Sequence, residues 1–387
     1  MERAELEKLL ASTGCAEKAG EFTFLCDPKW STADQASATA QKLSGLRFPK
    51  SEIDRGWLCI PTGGTSGGIR FARHDEKTLT AAARGYCDHF GLKRVNAVGV
   101  LPAHHVSGLM ARVRCAETGG EHMAWDWKQL EAGQWPRLIG DDWVLSLVPT
   151  QLQRLMTSPD AVVWLRGFRI IFIGGAPIWR ELADQAAAGK LPLSLSYGTT
   201  ETAAMIAAVR PEEFLTGDRS SGAALPHAKI SISAEGVVRV MGESVFRGYF
   251  PEERVSREFE TEDLGKFDAH GHLHILGRKD AVIITGGEKV QPAEVEAVLR
   301  AGGYFADVAV IGVPDAEWGQ AVVACYPDDG RGGLQRANEE EINRQLTGHK
   351  RPKRYVPIPP SAWPRNAQGK LNRGALIAMV AEVRSPR

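Results

Sequence analysis

Short apolar runs recur through the first half of this chain, and segments of helical spacing separate them. A run beginning at Trp57, WLCI, feeds a glycine-rich stretch; a helical segment follows over 76–90, and VNAVGVLP begins at Val95. Further apolar runs lie over 143–147 and 168–173, with helical segments over 150–156 and 178–188. Buried strands alternating with helices predict an α/β fold of layered sheets.

After about residue 220 the texture changes. Strands are expected over 228–232 and 237–241, around a Glu235-Gly236 turn, and again from His272. This part reads as β-rich. Past Gly277 a helix over 292–300, a strand over 308–313 and a helix over 339–348 read as a small α+β unit. The boundary is expected at 277–280. Residues 1–55 read as helices and loops with little chemistry.

Composition narrows the function classes. A chain of 387 residues has room for two or three domains. Lys plus Arg and Asp plus Glu both number 47, giving zero formal charge and no basic surface for nucleic acid. No stretch reaches the roughly 18–20 apolar residues of a membrane span. The N-terminal MERAELEKLL has no apolar signal core. The six cysteines are scattered, without metal-ligand spacing, and suit the core of a cytoplasmic protein.

Four segments carry chemistry. The first is PTGGTSGGIR, from Pro61 to Arg70, with four glycines and three hydroxyl residues within 62–68. Glycine lets a backbone curl until its N–H groups face one anion, and hydroxyls add donors. This composition suits a polyphosphate, although no Gly-Lys-Ser/Thr closes it as in a Walker loop, and a plain surface loop would read the same by itself. The second is LSYGTTETAAM, from Leu195. Two threonines and Glu201 are expected at the start of a helix, where phosphate binds and a lone acid suits Mg2+. A capping box explains the same residues without a ligand.

The third segment runs from Glu260 to Asp280. Asp263, just ahead of an expected Leu-Gly turn, and Arg278, after a strand, suit ribose hydroxyls and phosphate. A turn-starting Asp and a surface ion pair are the plainer readings. His270, His272 and His274 alternate and would share a strand face, without further ligand signal for a metal. The fourth is WPRNAQGKLNR, a polar loop presenting Lys370.

In this order the four segments resemble the adenylate-forming superfamily of acyl-CoA and aryl-CoA synthetases, peptide-synthetase adenylation domains and luciferases. Residues 62–70, TGGTSGGIR, stand where that superfamily has TSGTTGxPK, and residues 197–201, YGTTE, where it has YGxTE. GRKDAVIITGGEKVQPAEVE from Gly277 matches GRxD…GGExVxPxEIE, and residues 364–370 match PRxxxGK. Within the superfamily the chain is most similar to the o-succinylbenzoate–CoA ligases of menaquinone biosynthesis, through IPTGGTSGGIRFARH, LPAHHVSGLMARVR from Leu101, and SLVPTQLQRLM with IFIGGAPI. It departs from the pattern in Arg70 for lysine, in Glu262 for the glycine before Asp263, and in a shorter stretch ahead of the loop.

The resemblance implies a large N-terminal domain over 1–277, of layered α/β sheets plus a β-rich subdomain, its N-terminal part shortened. A small mobile α+β C-terminal domain over 278–387 would turn on a hinge at Lys279 and Asp280. It also implies a ligase that joins a small-molecule carboxylate to AMP and then to coenzyme A. Thr62, Gly63, Gly64, Thr65, Ser66, Gly67 and Arg70 would cradle the phosphates of ATP. Thr200 would reach the α-phosphate, Glu201 would hold Mg2+, and Gly198 and Thr199 would border them. Gly174, Gly175, Ala176, Pro177 and Tyr197 would frame the adenine, with Asp263 and Arg278 at the ribose. Lys370 would serve the first half-reaction only, and Gly286 and Gly287 would swing in with CoA. His105, Ser107 and Gly108 would line the acyl pocket, with Arg112 or Arg114 as anchor for a second carboxylate. An adenylation enzyme loading a carrier protein and a non-catalytic nucleotide-binding paralogue are the competing readings. The oligomeric state stays open, a homodimer included.

Overall fold

The structure is a computed structural model that describes residues 1–30, 32–45, 56–63, 69–252, 256–302, 305, 307–328, 336–365 and 371–382. Its strands form four sheets, and the α/β layering expected from the alternation of apolar runs and helices is found in the largest. The largest has seven strands, and the five at Asn96–Gly99, His122–Ala124, Trp143–Leu147, Ile170–Ile173 and Leu193–Thr199 are joined in parallel. Both faces of this sheet are covered. Leu145, Leu147, Ile171 and Ile173 face one apolar cluster, while Val144, Ile170 and Phe172 face another with Tyr86. Side chains that alternate between two buried faces give strands apolar at nearly every position, hence the legible runs. Truncating a core residue such as Leu145 or Ile171, both fully buried, would cost about 2–5 kcal/mol.

The parallel order has a functional consequence. The chain lays His122–Ala124 on one side of Asn96–Gly99 and Trp143–Leu147 on the other. Such a switch opens a crevice at the carboxyl ends of the strands, where open α/β sheets bind ligands. The segments after Asn96–Gly99, Ile170–Ile173 and Leu193–Thr199 carry His105, Gly174 and Glu201 to that end of the sheet.

A smaller sheet joins the hairpin Ala16–Ala19/Phe22–Leu25 to the hairpin Leu58–Gly63/Ile69–His74. The first hairpin departs from the helices and loops expected over 1–55; its outer strand AEKA is polar and half exposed, so it shows no apolar run. The helix Glu76–Phe90 falls on the predicted span. Asp75 caps it by accepting the Thr78 N–H, and Gly91 ends it in the left-handed region at φ 62°.

Beyond the large sheet, Ala228–Ile232, Val237–Gly242, Glu258–Phe267 and Leu273–Arg278 form an antiparallel meander. A single turn, Lys279–Ala281, leads from it to the fourth sheet. That sheet holds Ile283–Thr285, Glu288–Val290, Ala309–Asp315, Gly319–Pro327 and Arg354–Ile358. The helices Pro292–Ala301 and Arg373–Glu382 pack on its opposite faces. No helix among the described residues is long and apolar enough to cross a membrane.

Candidate functional site

The site is built around a tight return of the chain. The strand Leu193–Thr199 runs through Tyr197 and Gly198, makes one 3-10 turn at Thr200–Thr202, and doubles back as the antiparallel strand Ala204–Ala208. No α-helix starts here, contrary to the sequence expectation. Ala203 and Ala204 lie in the left-handed region at φ 53° and 76°, which a helix cannot accommodate and which is strained for a residue with a Cβ. Gly198 is required: a Cβ there would stand 1.8 Å from the Ala204 carbonyl oxygen. The Thr202 hydroxyl accepts the Thr199 N–H at 3.0 Å and donates toward the Ala204 carbonyl at 2.8 Å.

This turn buries Glu201, which is 7% exposed. Two hydroxyls donate to one of its oxygens, Oε1: Tyr249 at 2.7 Å and Thr62 at 3.3 Å. Its backbone carbonyl accepts the Phe246 N–H at 2.8 Å. Among the described residues Oε2 accepts no hydrogen bond and no cationic side chain pairs with Glu201. Nor does any group of three or more His, Cys, Asp or Glu side chains among them suffice to hold a metal. A buried carboxylate without a counter-charge fits Mg2+, which takes one or two protein carboxylates and completes its shell with water and substrate phosphates. The Thr199 hydroxyl is buried here with no partner.

The glycine-rich loop flanks the same carboxylate. Thr62 and Arg70 face each other across the hairpin that leads into and out of it. Gly64, Thr65, Ser66 and Gly67 lie outside the described residues. The Arg70 guanidinium rests 4.3 Å above the Tyr249 ring. A strap over residues 244–250 lies along the strand Ile69–His74: the Arg73 N–H donates to Gly248, the Arg247 N–H to Arg73 and the Phe250 N–H to Phe71. Behind it Arg247 pairs with Asp75 at 2.8 Å. Burial raises the Asp75 pKa, and the Arg247 and Thr78 hydrogen bonds more than offset it, leaving it below the usual value. The His74 Nε2–H donates to the Thr200 carbonyl at 2.8 Å, and burial holds this imidazole neutral down to about 4.

On the other side of Thr199, the Tyr197 hydroxyl donates to Asp263 at 2.7 Å. Burial first, and then Asp263, raises the Tyr197 pKa. Asp263 lies within the strand Glu258–Phe267, opposite Arg278 in register, and not ahead of a turn as expected. Arg278 is the last residue of its strand. Gly174 sits against Ser196, whose hydroxyl donates to Ile173 at 3.2 Å, while Gly175, Ala176 and Pro177 are exposed at the rim. Thus Thr62, Arg70, Thr199, Glu201, Tyr197 and Asp263 come together. His272 and His274 instead pair separately with Asp218 and Asp268.

His105 caps the helix Val106–Glu117 with its backbone, and its ring lies 4.3 Å from that of His104. Gly108 is compelled by packing, since a Cβ would lie 2.1 Å from the Pro102 carbonyl oxygen. Ser107 is half-buried one residue earlier, and Arg112 is half-buried on the same helix. Arg114 is 5% exposed, with its guanidinium 4.0 Å from the Tyr86 ring and no hydrogen-bond partner for its Nε. Burial lowers the Arg114 pKa, and no carboxylate among the described residues pairs with it. The Tyr86 hydroxyl and both His227 ring nitrogens are likewise buried without partners.

Gly286 and Gly287 form the left-handed turn between Ile283–Thr285 and Glu288–Val290, at φ 56° and 82°. Their described hydrogen bonds stay within their own sheet. The Trp318 ring stands 3.0 Å from where a Gly286 Cβ would be, and the Lys353 ammonium lies 4.3 Å above that ring. Lys370 lies outside the described residues. Sequence reasoning missed Tyr249, His74 and Trp318; the only signal for Tyr249 is a hydroxyl-bearing aromatic inside the apolar stretch VFRGYF.

Comparison with known proteins places this geometry. The profile of AMP-binding enzymes matches residues 3–250, and that of the AMP-binding enzyme C-terminal domain matches residues 294–370. A 2-succinylbenzoate–CoA ligase from Enterococcus faecalis is 29% identical over 326 residues, covering 80% of this chain and 67% of the relative. One from Bacillus licheniformis is 32% identical over 297 residues, covering 71% of this chain and 60% of the relative. The chain therefore spans about two thirds or less of the length of these enzymes. In fold it is similar to o-succinylbenzoate CoA synthetase from Bacillus subtilis in complex with an acyl-adenylate intermediate. The TM-score is 0.74 at 23% identity, over 94% of this chain and 78% of the other. With the profile matched over well more than half of its length, the chain belongs to the AMP-binding enzyme family.

Proposed function

We propose that this protein is an ATP-dependent acid–thiol ligase that converts o-succinylbenzoate to its CoA thioester. The carboxylate attacks the α-phosphorus of ATP, pyrophosphate leaves, the CoA thiol attacks the acyl-adenylate, and AMP leaves. The observation that carries this reading is Glu201: a buried carboxylate with one open oxygen, beside Thr199, Thr62 and Arg70, at the carboxyl end of the parallel sheet. Mg2+ held there would neutralise phosphate charge as the two anions approach.

The roles in this reading come from the sequence motifs together with the geometry where residues are described. Thr62, Arg70 and the loop between them bind the β- and γ-phosphates; Thr199 and Thr200 reach the α-phosphate. Tyr197, with residues 174–177, receives the adenine, and Asp263 the ribose hydroxyls, with Arg278 beside it. Lys370 bridges carboxylate and α-phosphate in the first half-reaction. A C-terminal unit over 278–387 then turns about Lys279 and Asp280, and Gly286 and Gly287 enter with CoA. Trp318 and Lys353 beside that turn suit the nucleotide end of CoA, an aromatic face next to a cation.

His105, Ser107 and Gly108 border the acyl pocket. The second carboxylate of the substrate requires a cation, and of the two candidates Arg114 is the better. A guanidinium stays charged and is costly to bury alone, so a site that leaves it without an acid is made for an anion. The names of the two ligases above support the choice of acid. ATP and CoA as co-substrates fit a cytoplasmic enzyme of menaquinone synthesis. The test is pyrophosphate exchange, and then thioester formation with free CoA, across a panel of acids including o-succinylbenzoate. No exchange with any acid overturns the ligase reading; exchange with another acid alone overturns the substrate.

A further inference from the structure

Glu201 is fixed through one oxygen. Tyr249 and Thr62 both donate to Oε1, and Tyr249 is much the nearer, at 2.7 Å against 3.3 Å. Tyr249 is itself placed by backbone pairing, bridging Ala72 in antiparallel register, with its neighbours Gly248 and Phe250 hydrogen-bonded to Arg73 and Phe71. The strand that holds it also carries Arg70, whose guanidinium lies on its ring at 4.3 Å. One side chain therefore touches two charged groups of the site, Glu201 through its hydroxyl and Arg70 through its ring.

We infer that Tyr249 is a positioning residue with two separable tasks: its hydroxyl turns Glu201 so that Oε2 faces the divalent cation, and its ring holds Arg70 against the triphosphate. This rests on the reading of Glu201 as the metal-holding acid. A carboxylate free to rotate about its last bond presents either oxygen, or neither, to an ion. A hydrogen bond that occupies one oxygen selects the orientation in advance, and loss of such a supporting partner typically weakens metal binding 10–100-fold. The ring acts through the attraction of a cation for an aromatic face, which keeps an otherwise exposed Arg70 in place before ATP arrives.

Tyr249→Phe removes the first task and keeps the second; Tyr249→Leu removes both. Mn2+ binding in the presence of ATP, followed by the water-proton relaxation enhancement of the protein-bound ion against a blank of ATP alone, reads the first. The KM for ATP at saturating Mg2+ reads the second. The expected result is a Mn2+ dissociation constant raised about tenfold in Tyr249→Phe, with ATP KM and thermal midpoint close to wild type. In Tyr249→Leu both constants rise. A Tyr249→Phe protein that binds Mn2+ like wild type overturns the positioning role while the ligase reading stands. A wild-type protein that neither binds Mn2+ with ATP nor exchanges pyrophosphate overturns both.

Discussion

Arg278 stands opposite Asp263 across two paired strands, and its guanidinium bridges Asp263 and Asp280, closer to the second. It donates to both Asp280 oxygens at 2.8 Å and lies 3.8 Å from Asp263. Asp263 accepts the Tyr197 hydroxyl, while Arg278 hydrogen-bonds a residue of the turn that follows the meander. If this turn is the hinge, breaking the clamp changes the balance of the two half-reactions rather than the fold. Asp280→Asn is expected to alter stability by less than about 1 kcal/mol, because Arg278 is 43% exposed and such pairs contribute little. It is expected to change the ratio of adenylation to thioester formation, measured by single-turnover assays of each half. An unchanged ratio would remove the clamp from the hinge.

Arg114 sets function against stability. Arg114→Met is expected to raise the unfolding free energy of the ligand-free protein by about 1 kcal/mol or more, since it replaces a charge buried without an acid by an apolar side chain of similar length. The same variant should lose its preference for a dicarboxylate over the corresponding monocarboxylate, with ATP KM unchanged. Denaturant titration and KM values for the paired acids check the two halves, and a destabilised variant with intact preference would contradict both.

Three histidines predict a pH dependence. Burial, the largest influence on each, holds His74, His122 and His227 near 4 instead of the ordinary 6.5. Above about 6.5 neither folded nor unfolded chain protonates them, and they contribute no slope. Between about 6.5 and 4 the unfolded chain takes up protons that the folded chain refuses, so stability falls as pH falls. A single site would account for about 3 kcal/mol at most over that window. His74→Gln is expected to flatten the slope, as read from denaturation midpoints at stepped pH.

Lys370 is assigned by its sequence motif, and kinetics can examine that role independently of any structure. Lys370→Ala should abolish pyrophosphate exchange while a preformed acyl-adenylate still yields thioester with CoA. Equal loss of both halves would show that the lysine serves the whole cycle.

What was legible in the sequence was local. The run at Trp143–Leu147 and the helix Glu76–Phe90 each declare themselves within their own residues, the one by apolar continuity, the other by Asp75 and Gly91 at its ends. Thr199, Thr200 and Glu201 were recognisable as chemistry but not as geometry. A Thr-Thr-Glu run fits a helix start, and only the strained Ala203 and Ala204 show that the chain instead turns back. Asp263 was expected outside a strand because Leu-Gly reads as a turn, although Gly265 lies within the strand at a shift in its pairing register. Tyr249 was invisible because its local partner, the Phe246 ring at 4.8 Å, reads as ordinary apolar packing, and its polar partners are far away in sequence. Its meaning lies in Glu201 and Arg70, and in a pairing with Ala72 that closes a very long loop.

That long closure bears on when the protein becomes active. Thr62 and Arg70 leave the ribosome first, Glu201 much later, and the strap that orients it later still. Contacts between such distant segments form late in folding, because the entropy of closing the loop is lost before the contact is gained. A nascent chain that has emerged only to residue 240 holds the phosphate loop and the acid without the tyrosine that joins them. The carboxylate of such a chain has its partner Thr62 but not yet the nearer hydroxyl that fixes it.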